Sequence, residues 1–302
     1  VVAQDIAYAD GGAGPRFAAP TFDLYLPSTG PAPLVVILHD GGFDKRAVAY
    51  PLIAQRLSAL GVAVASVGWG LQSRANAFLT AGGRREDLVE LLRQASGQLD
   101  CAIAASVSRA GDAGIAVDRI TLLGHGTGAN LAATGALGAT SRPFPGCLQD
   151  TADWAADALV LWDGDWLLAQ RWDGWGSDLG TELMPILTPW AWLDGPDRMS
   201  VDVVVTEQQR SASAFRTCLR DQPGFLTDRD PHGSISRLLE GVGALDDGCV
   251  SRGEASDALA AALAAKGYPT STVELAAAGT RHSVLARPDL DALVALLAAR
   301  ST

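Results

Sequence analysis

Three glycines in five residues, Gly124, Gly126 and Gly128, separate the apolar run Ile120-Thr-Leu-Leu123 from a helix-forming stretch beginning at Ala129. Glycines spaced this closely permit a turn that residues with a Cβ resist, because the backbone can take positive φ and a helix can lie close against the strand. The segment therefore reads as a strand fed directly into a helix, and a chain built around such a unit is an α/β protein. The helix also begins with unpaired N–H groups, which favour a negative charge at the turn.

The remaining apolar runs fit that frame. Asp5–Tyr8 and Phe22–Leu26 predict two short antiparallel strands joined by the glycine- and proline-rich turn Gly11 to Pro15. Leu34–His39, Val62–Val67, Ala158–Trp162, Val201–Thr206 and Ser271–Leu275 read as buried strands. Between them the spacing predicts helices over Ala47–Leu60, Arg84–Ser108, Ala129–Leu137, Glu254–Lys266 and Pro288–Ala299. Strands alternating with helices predict a mostly parallel central sheet covered by helices on both faces, with ligands at the carboxyl ends of the strands. The 302 residues suit one domain over 1–302. Within it, residues 163–200 break the alternation. Trp166, Trp172, Trp175, Trp190 and Trp192 lie in that stretch, with Trp154 and Trp162 just before it, and predict a Trp-rich insertion or cap.

Composition narrows the function. Hydrophobic residues make up 48% and charged residues 19%, enough for a large core and too apolar for a disordered chain. The net charge is −11, with Lys45 and Lys266 as the only lysines, a field opposite to that needed on nucleic acid. No apolar run approaches the roughly 18 residues of a membrane span. Cys101, Cys147, Cys218 and Cys249 form no C-x-x-C and no zinc-ligand spacing, so neither a metal nor a cofactor is expected. Their order in the chain suggests two local pairs, Cys101–Cys147 and Cys218–Cys249. His232 stands in the acidic turn Asp228-Arg-Asp-Pro-His232 and reads as surface. The cysteines, with a start at Val1, point to a secreted or extracytoplasmic protein, the cytoplasm being the alternative.

Strand, tight glycine turn and helix are the layout of a nucleophile elbow, G-x-S-x-G. Gly124 and Gly128 match its flanking glycines, and the nucleophile position is Gly126. His39-Asp-Gly-Gly-Phe43 follows an early buried strand, and Arg281-His-Ser283 follows the last one. On these three motifs the chain resembles the α/β-hydrolase superfamily, in its esterase and lipase branch with an HGG-type oxyanion loop. The resemblance spans nearly the whole chain. It implies carboxylic ester hydrolysis in an active parent, with residue 126 as nucleophile and His282 as base. The base would be oriented by Glu207 or Asp163. Backbone N–H groups of Gly41, Gly42 and Thr127 would form the oxyanion hole. His39, Phe43, His125, Trp166 and Trp190 would line a pocket for a small ester or an apolar ligand.

The chain departs from this pattern at the chemistry itself. Gly126 has no side chain to acylate, and Asp40 puts a carboxylate where a glycine is usual. Two accounts follow. Either a serine was replaced by glycine to trap a ligand, or the chain is a natural pseudo-hydrolase that binds a small apolar or aromatic molecule. Disagreement at several positions together favours the second. A dinucleotide-binding role is the rival class, since Gly124-His-Gly-Thr-Gly-Ala129 satisfies G-x-G-x-x-A. That fingerprint requires a second strand ending in Asp or Glu about 20 residues on. The chain has Ser141-Arg-Pro-Phe-Pro-Gly-Cys147 there, which cannot be a central strand.

Overall fold

The computed structural model describes residues 2–10, 19–40, 44–47, 49–69, 85–136, 144, 146–150, 154–164, 166, 199–207, 217–218, 249–250, 252–275 and 287–301. Its centre is an eight-stranded sheet. In chain order the strands are β1 (Val2–Ala7), β2 (Thr21–Tyr25), β3 (Ala32–Leu38), β4 (Ala63–Val67), β5 (Val117–His125), β6 (Ala158–Trp162), β7 (Ser200–Thr206) and β10 (Thr270–Leu275). Two-residue strands β8 (Thr217–Cys218) and β9 (Cys249–Val250) form a separate antiparallel ribbon. The spatial order is β1-β2-β4-β3-β5-β6-β7-β10. The pairs β1–β2 and β2–β4 are antiparallel, and every later pair is parallel.

The central strands read as unbroken apolar runs because both faces are covered. On β3, Leu34, Val36 and Leu38 join one core while Val35 and Ile37 join the other, the two-residue period of a strand. The first core is closed by α2 (Arg85–Asp112), α3 (Thr127–Ala136) and α4 (Arg252–Ala265), through residues such as Leu99, Leu131 and Leu259. The second is closed by α1 (Tyr50–Ala59) and α5 (Arg287–Ser301), through Ile53, Leu57, Leu293 and Leu297. The expected strands and helices are all present. Most boundaries shift by one to three residues. Helix α2 runs on to Asp112, past the expected end at Ser108, since Ala110 is wholly buried and keeps that last turn packed.

A disulfide joins Cys101 on α2 to Cys147, with a sequence separation of 46 and Cα atoms 5.3 Å apart. The partner segment is itself fixed to the amino-terminal strand: the Asp10 amide donates to the Gly146 carbonyl at 2.7 Å and Leu148 to Tyr8 at 3.0 Å. In the β8–β9 ribbon, Cys218 stands directly opposite Cys249 in the antiparallel register. Most of the Trp-rich segment 163–200 lies outside the described residues, as do Gly41, Gly42, Phe43, Trp190 and His282. Among the described residues no helix is long and apolar enough to cross a membrane.

Candidate active site

The parallel strands β3, β5, β6 and β7 all end on one side of the sheet, and the residues just past their ends form the candidate site. After β5, Gly126 takes φ +55° and its N–H donates to the Trp162 carbonyl at 2.9 Å. This is the positive-φ geometry of an elbow. Gly128, in the first turn of α3, lies so close to β3 that a Cβ there would stand 2.3 Å from the Leu38 carbonyl oxygen. The glycines thus do what their spacing implied: one turns the chain, and the other seats the helix on the sheet.

Asp40 occupies the centre. Its Oδ1 accepts the Thr127 backbone N–H at 2.9 Å and the Thr127 hydroxyl at 3.0 Å. A Cβ built on Gly126 would lie 2.3 Å from Asp40 Oδ1 and 2.4 Å from its Cγ. The carboxylate therefore stands where the side chain of residue 126 would begin, and it holds the N–H expected to serve an oxyanion. Thr127 Oγ1 is a donor to Asp40 in this arrangement.

Three aromatic side chains, Tyr50, Trp69 and Trp162, and two histidines, His39 and His125, pack beneath. The Asp40 amide donates to the Tyr50 hydroxyl at 3.2 Å, and that hydroxyl is 2.7 Å from His125 Nδ1. Burial pushes the Tyr50 phenol well above its ordinary pKa, so it stays protonated. The His125 ring stacks on Trp162 at a 3.8 Å centroid distance. His39 is equally enclosed. The Trp69 amide donates to His39 Nε2 at 3.3 Å, which leaves Nδ1–H to donate to the Asp40 carbonyl at 2.8 Å. The ring is thus the neutral Nδ1–H tautomer.

Burial pulls the His39 pKa below its ordinary value, against the opposing pull of its hydrogen bond to Asp40 and of the nearby Asp40 and Asp44 charges. The unfolded chain takes up that proton near pH 6.5, about the unperturbed value, and the folded chain only at lower pH. In that window the unfolded state binds more protons, so stability is lost as pH falls below about 6.5. Urea denaturation between pH 7 and pH 5 should show this as a falling midpoint. The slope should shrink in His39→Gln by up to about 1.4 kcal/mol per pH unit, the limit for one proton. An unchanged slope would mean that His39 is not the group responsible.

The triad-acid candidates are placed differently. Asp163, after β6, adopts φ +47° and is buried. Its two carboxylate oxygens accept the Thr206 N–H and the Thr206 hydroxyl, both at 2.8 Å, across the end of β7. Glu207, the residue that follows β7, is exposed.

Of the residues expected to line a pocket, His39, His125 and Trp166 are each at most 1% exposed, packed within the protein. Trp166 in particular belongs to the first core, where its Nε1–H donates to Ser256 on α4 at 3.0 Å. Sequence reasoning missed Tyr50, Trp69 and Thr206. Tyr50 and Trp69 are separated from their partners by 10 to 75 residues, and no local pattern marks them. No group of three His, Cys, Asp or Glu side chains among the described residues could hold a metal ion.

No protein-family model matches the chain, and no curated protein matches it in sequence. Solved structures do resemble it. Esterase B from Lactobacillus rhamnosis superposes with a TM-score of 0.60 at 14% identity, over 99% of this chain and 84% of the other. Brefeldin A esterase, a bacterial homologue of human hormone-sensitive lipase, gives 0.55 at 15% identity, over 100% and 76%. A bifunctional GH43-CE protein from Bacteroides eggerthii gives 0.58 at 17% identity, and the present chain spans 35% of its length. With its strand order, its glycine elbow and these superpositions, the chain has the α/β-hydrolase fold, in the arrangement shared with esterases.

Proposed function

We propose that this chain is a pseudo-hydrolase: an esterase-like fold that binds a small apolar or aromatic molecule without forming an acyl-enzyme. The observation that carries this reading is the Asp40 carboxylate standing in the space of the side chain that Gly126 lacks. Removing a serine nucleophile costs on the order of 10⁶-fold in turnover. An intact oxyanion hole and pocket can still leave roughly 10³–10⁴-fold over water. In this chain the Thr127 N–H already serves a carboxylate, so that residual route is weakened as well. An oxyanion forming about 4 Å from an ionised Asp40 would be repelled by about 4 kcal/mol at an effective dielectric of 20. Two positions that oppose ester chemistry and fit each other favour a natural pseudo-hydrolase over a single serine-to-glycine replacement.

In the active ancestor, residue 126 would be the nucleophile and His282 the base. Burial and the double anchor on Thr206 favour Asp163 over the exposed Glu207 as the group that orients it. Gly41, Gly42 and Thr127 would supply the oxyanion donors. The tryptophans of 163–200 are the ground for expecting an apolar or aromatic ligand. A secreted setting accords with the Cys101–Cys147 disulfide, and the facing positions of Cys218 and Cys249 support a second.

The test is hydrolysis of p-nitrophenyl butyrate, read beside binding of butyrophenone, a ketone of similar shape that cannot be cleaved. The expected result is turnover at the uncatalysed background and ketone binding that survives His282→Ala. Hydrolysis that disappears on His282→Ala would overturn the reading, because it would show a working catalytic site.

A further inference from the structure

Strands β3 and β5 run parallel, with Leu38 paired to Gly124 as their last register partners. Two residues further along each chain come Asp40 and Gly126, so the sheet brings these two positions to the same level. From β3, Asp40 reaches the first turn of α3, where its Oδ1 takes both the N–H and the hydroxyl of Thr127. A helix start offers unpaired N–H groups and a partial positive charge, and a carboxylate there is stabilised. The Asp40 main chain is held on both sides, by the Tyr50 hydroxyl on its amide and the His39 ring on its carbonyl. The carboxylate is also half-buried. It is a fixed part of the site.

We propose that Asp40 is a resident anion, which fills at once the space of a nucleophile at residue 126 and the donor of an external oxyanion. The inference rests on the pseudo-hydrolase reading and deepens it. Small carboxylates and ester-derived oxyanions are admitted at this end of the sheet only when Asp40 is removed. Positions 40 and 126 are in consequence coupled: a side chain can enter at 126 only as the one at 40 withdraws. A Cβ at 126 would stand 2.3 Å from Asp40 Oδ1, closer than real Cβ contacts come, and a serine hydroxyl adds a further atom. An external carboxylate would have to displace a group tethered beside its own donor, which competes at a high effective concentration. If Asp40 were only a cap for α3, its loss would weaken the helix, leaving the tolerance for serine at 126 unchanged.

The experiment is a double-mutant cycle of the unsubstituted chain, Asp40→Gly, Gly126→Ser and the combination, read by urea denaturation. With Asp40 in place, Gly126→Ser is expected to lower the folding equilibrium constant at least about tenfold more than it does in the Asp40→Gly background. Equal losses in both backgrounds would overturn the proposal. Sodium butyrate provides a second reading by calorimetry. It should bind Asp40→Gly and should not bind the unsubstituted chain or Asp40→Asn, whose amide oxygen still covers Thr127. Butyrate behaving alike in Asp40→Gly and the unsubstituted chain would overturn it too. Should Asp40→Gly not fold, Asp40→Asn keeps the shape, and its Thr127 amide proton should move upfield in the NMR spectrum once the charged acceptor is lost. An unmoved amide would count against the resident anion. None of these readings uses ester turnover, so failure of the pseudo-hydrolase reading and failure of this inference remain separable.

Discussion

Alanine at Gly128 is expected to destabilise the chain by roughly 2–3 kcal/mol, although the same change in an open helix is stabilising. Two effects compete. Alanine removes backbone freedom from the unfolded chain and has the better helix propensity, a gain of at most about 1 kcal/mol. Against it, the new Cβ would lie 2.3 Å from the Leu38 carbonyl oxygen and 2.5 Å from that of His39. Both are backbone atoms at the end of a central strand and cannot rotate aside. Helix α3 must lift from the sheet, loosening Leu131 and Ala132 in the first core and moving the Thr127 N–H away from Asp40. The steric effect wins. For a chain of this length the thermal midpoint should drop by about 4 °C. Gly111 is the control: it lies in α2, and nothing stands within 4 Å of a Cβ there, so Gly111→Ala should be neutral or slightly stabilising. If the two variants melt together, close packing at Gly128 is not what its glycine serves.

The fold was largely legible in the sequence because burial on both faces leaves a strong signature. Runs such as Leu34–Leu38 and Ala158–Trp162 carry no charge, and the glycines after Leu123 permit the tight turn that feeds a strand directly into a helix. The absence of a side chain at 126 was equally plain. What the sequence withheld was register. Asp40 could be read as a charge opposed to an oxyanion, but its overlap with residue 126 depends on the pairing of Leu38 with Gly124, two residues far apart in the chain. The buried supports were hidden for the same reason. The sequence sets Trp166 among other tryptophans but gives no sign of its hydrogen-bond partner, Ser256, which lies 90 residues on. The two acid candidates show a further limit. Counting three residues past Thr206 reaches Gln209, which is no acid, so the sequence offers Glu207 only as a nearby carboxylate; the left-handed turn at Asp163, whose carboxylate meets Thr206, is not legible in it.

Loss of Asp23 is expected to cost about 3–5 kcal/mol, the range for removing one partner of a buried ion pair. Asp23 is wholly buried on β2. It accepts the Asp5 amide at 2.9 Å, Arg46 Nε and Nη2 at 2.5 and 2.8 Å, and stands 3.1 Å from Lys45 Nζ. Without it, Lys45, itself only 8% exposed, keeps the Thr21 hydroxyl and, as its charged partner, the mostly exposed carboxylate of Asp5. The segment Asp44–Ala47 that carries both cations begins four residues after Asp40 in the chain, so its release is expected to disturb the site as well as the fold. The pH dependence has a definite sign. Burial alone would raise the Asp23 pKa, but Arg46, the Asp5 amide and Lys45 outweigh it and hold the carboxyl below its ordinary value. Asp5 is lowered by Lys45 and then Arg46. Carboxylates with lowered folded pKa values stabilise fully above the ordinary value, about pH 4, and lose that contribution as pH falls through the folded ones. Urea midpoints of Asp23→Ala should therefore lie well below those of the unsubstituted chain at pH 7 and converge toward them as the pH is lowered past about 4. A gap that stays constant with pH would show that Asp23 stabilises the fold by packing, with its charge irrelevant.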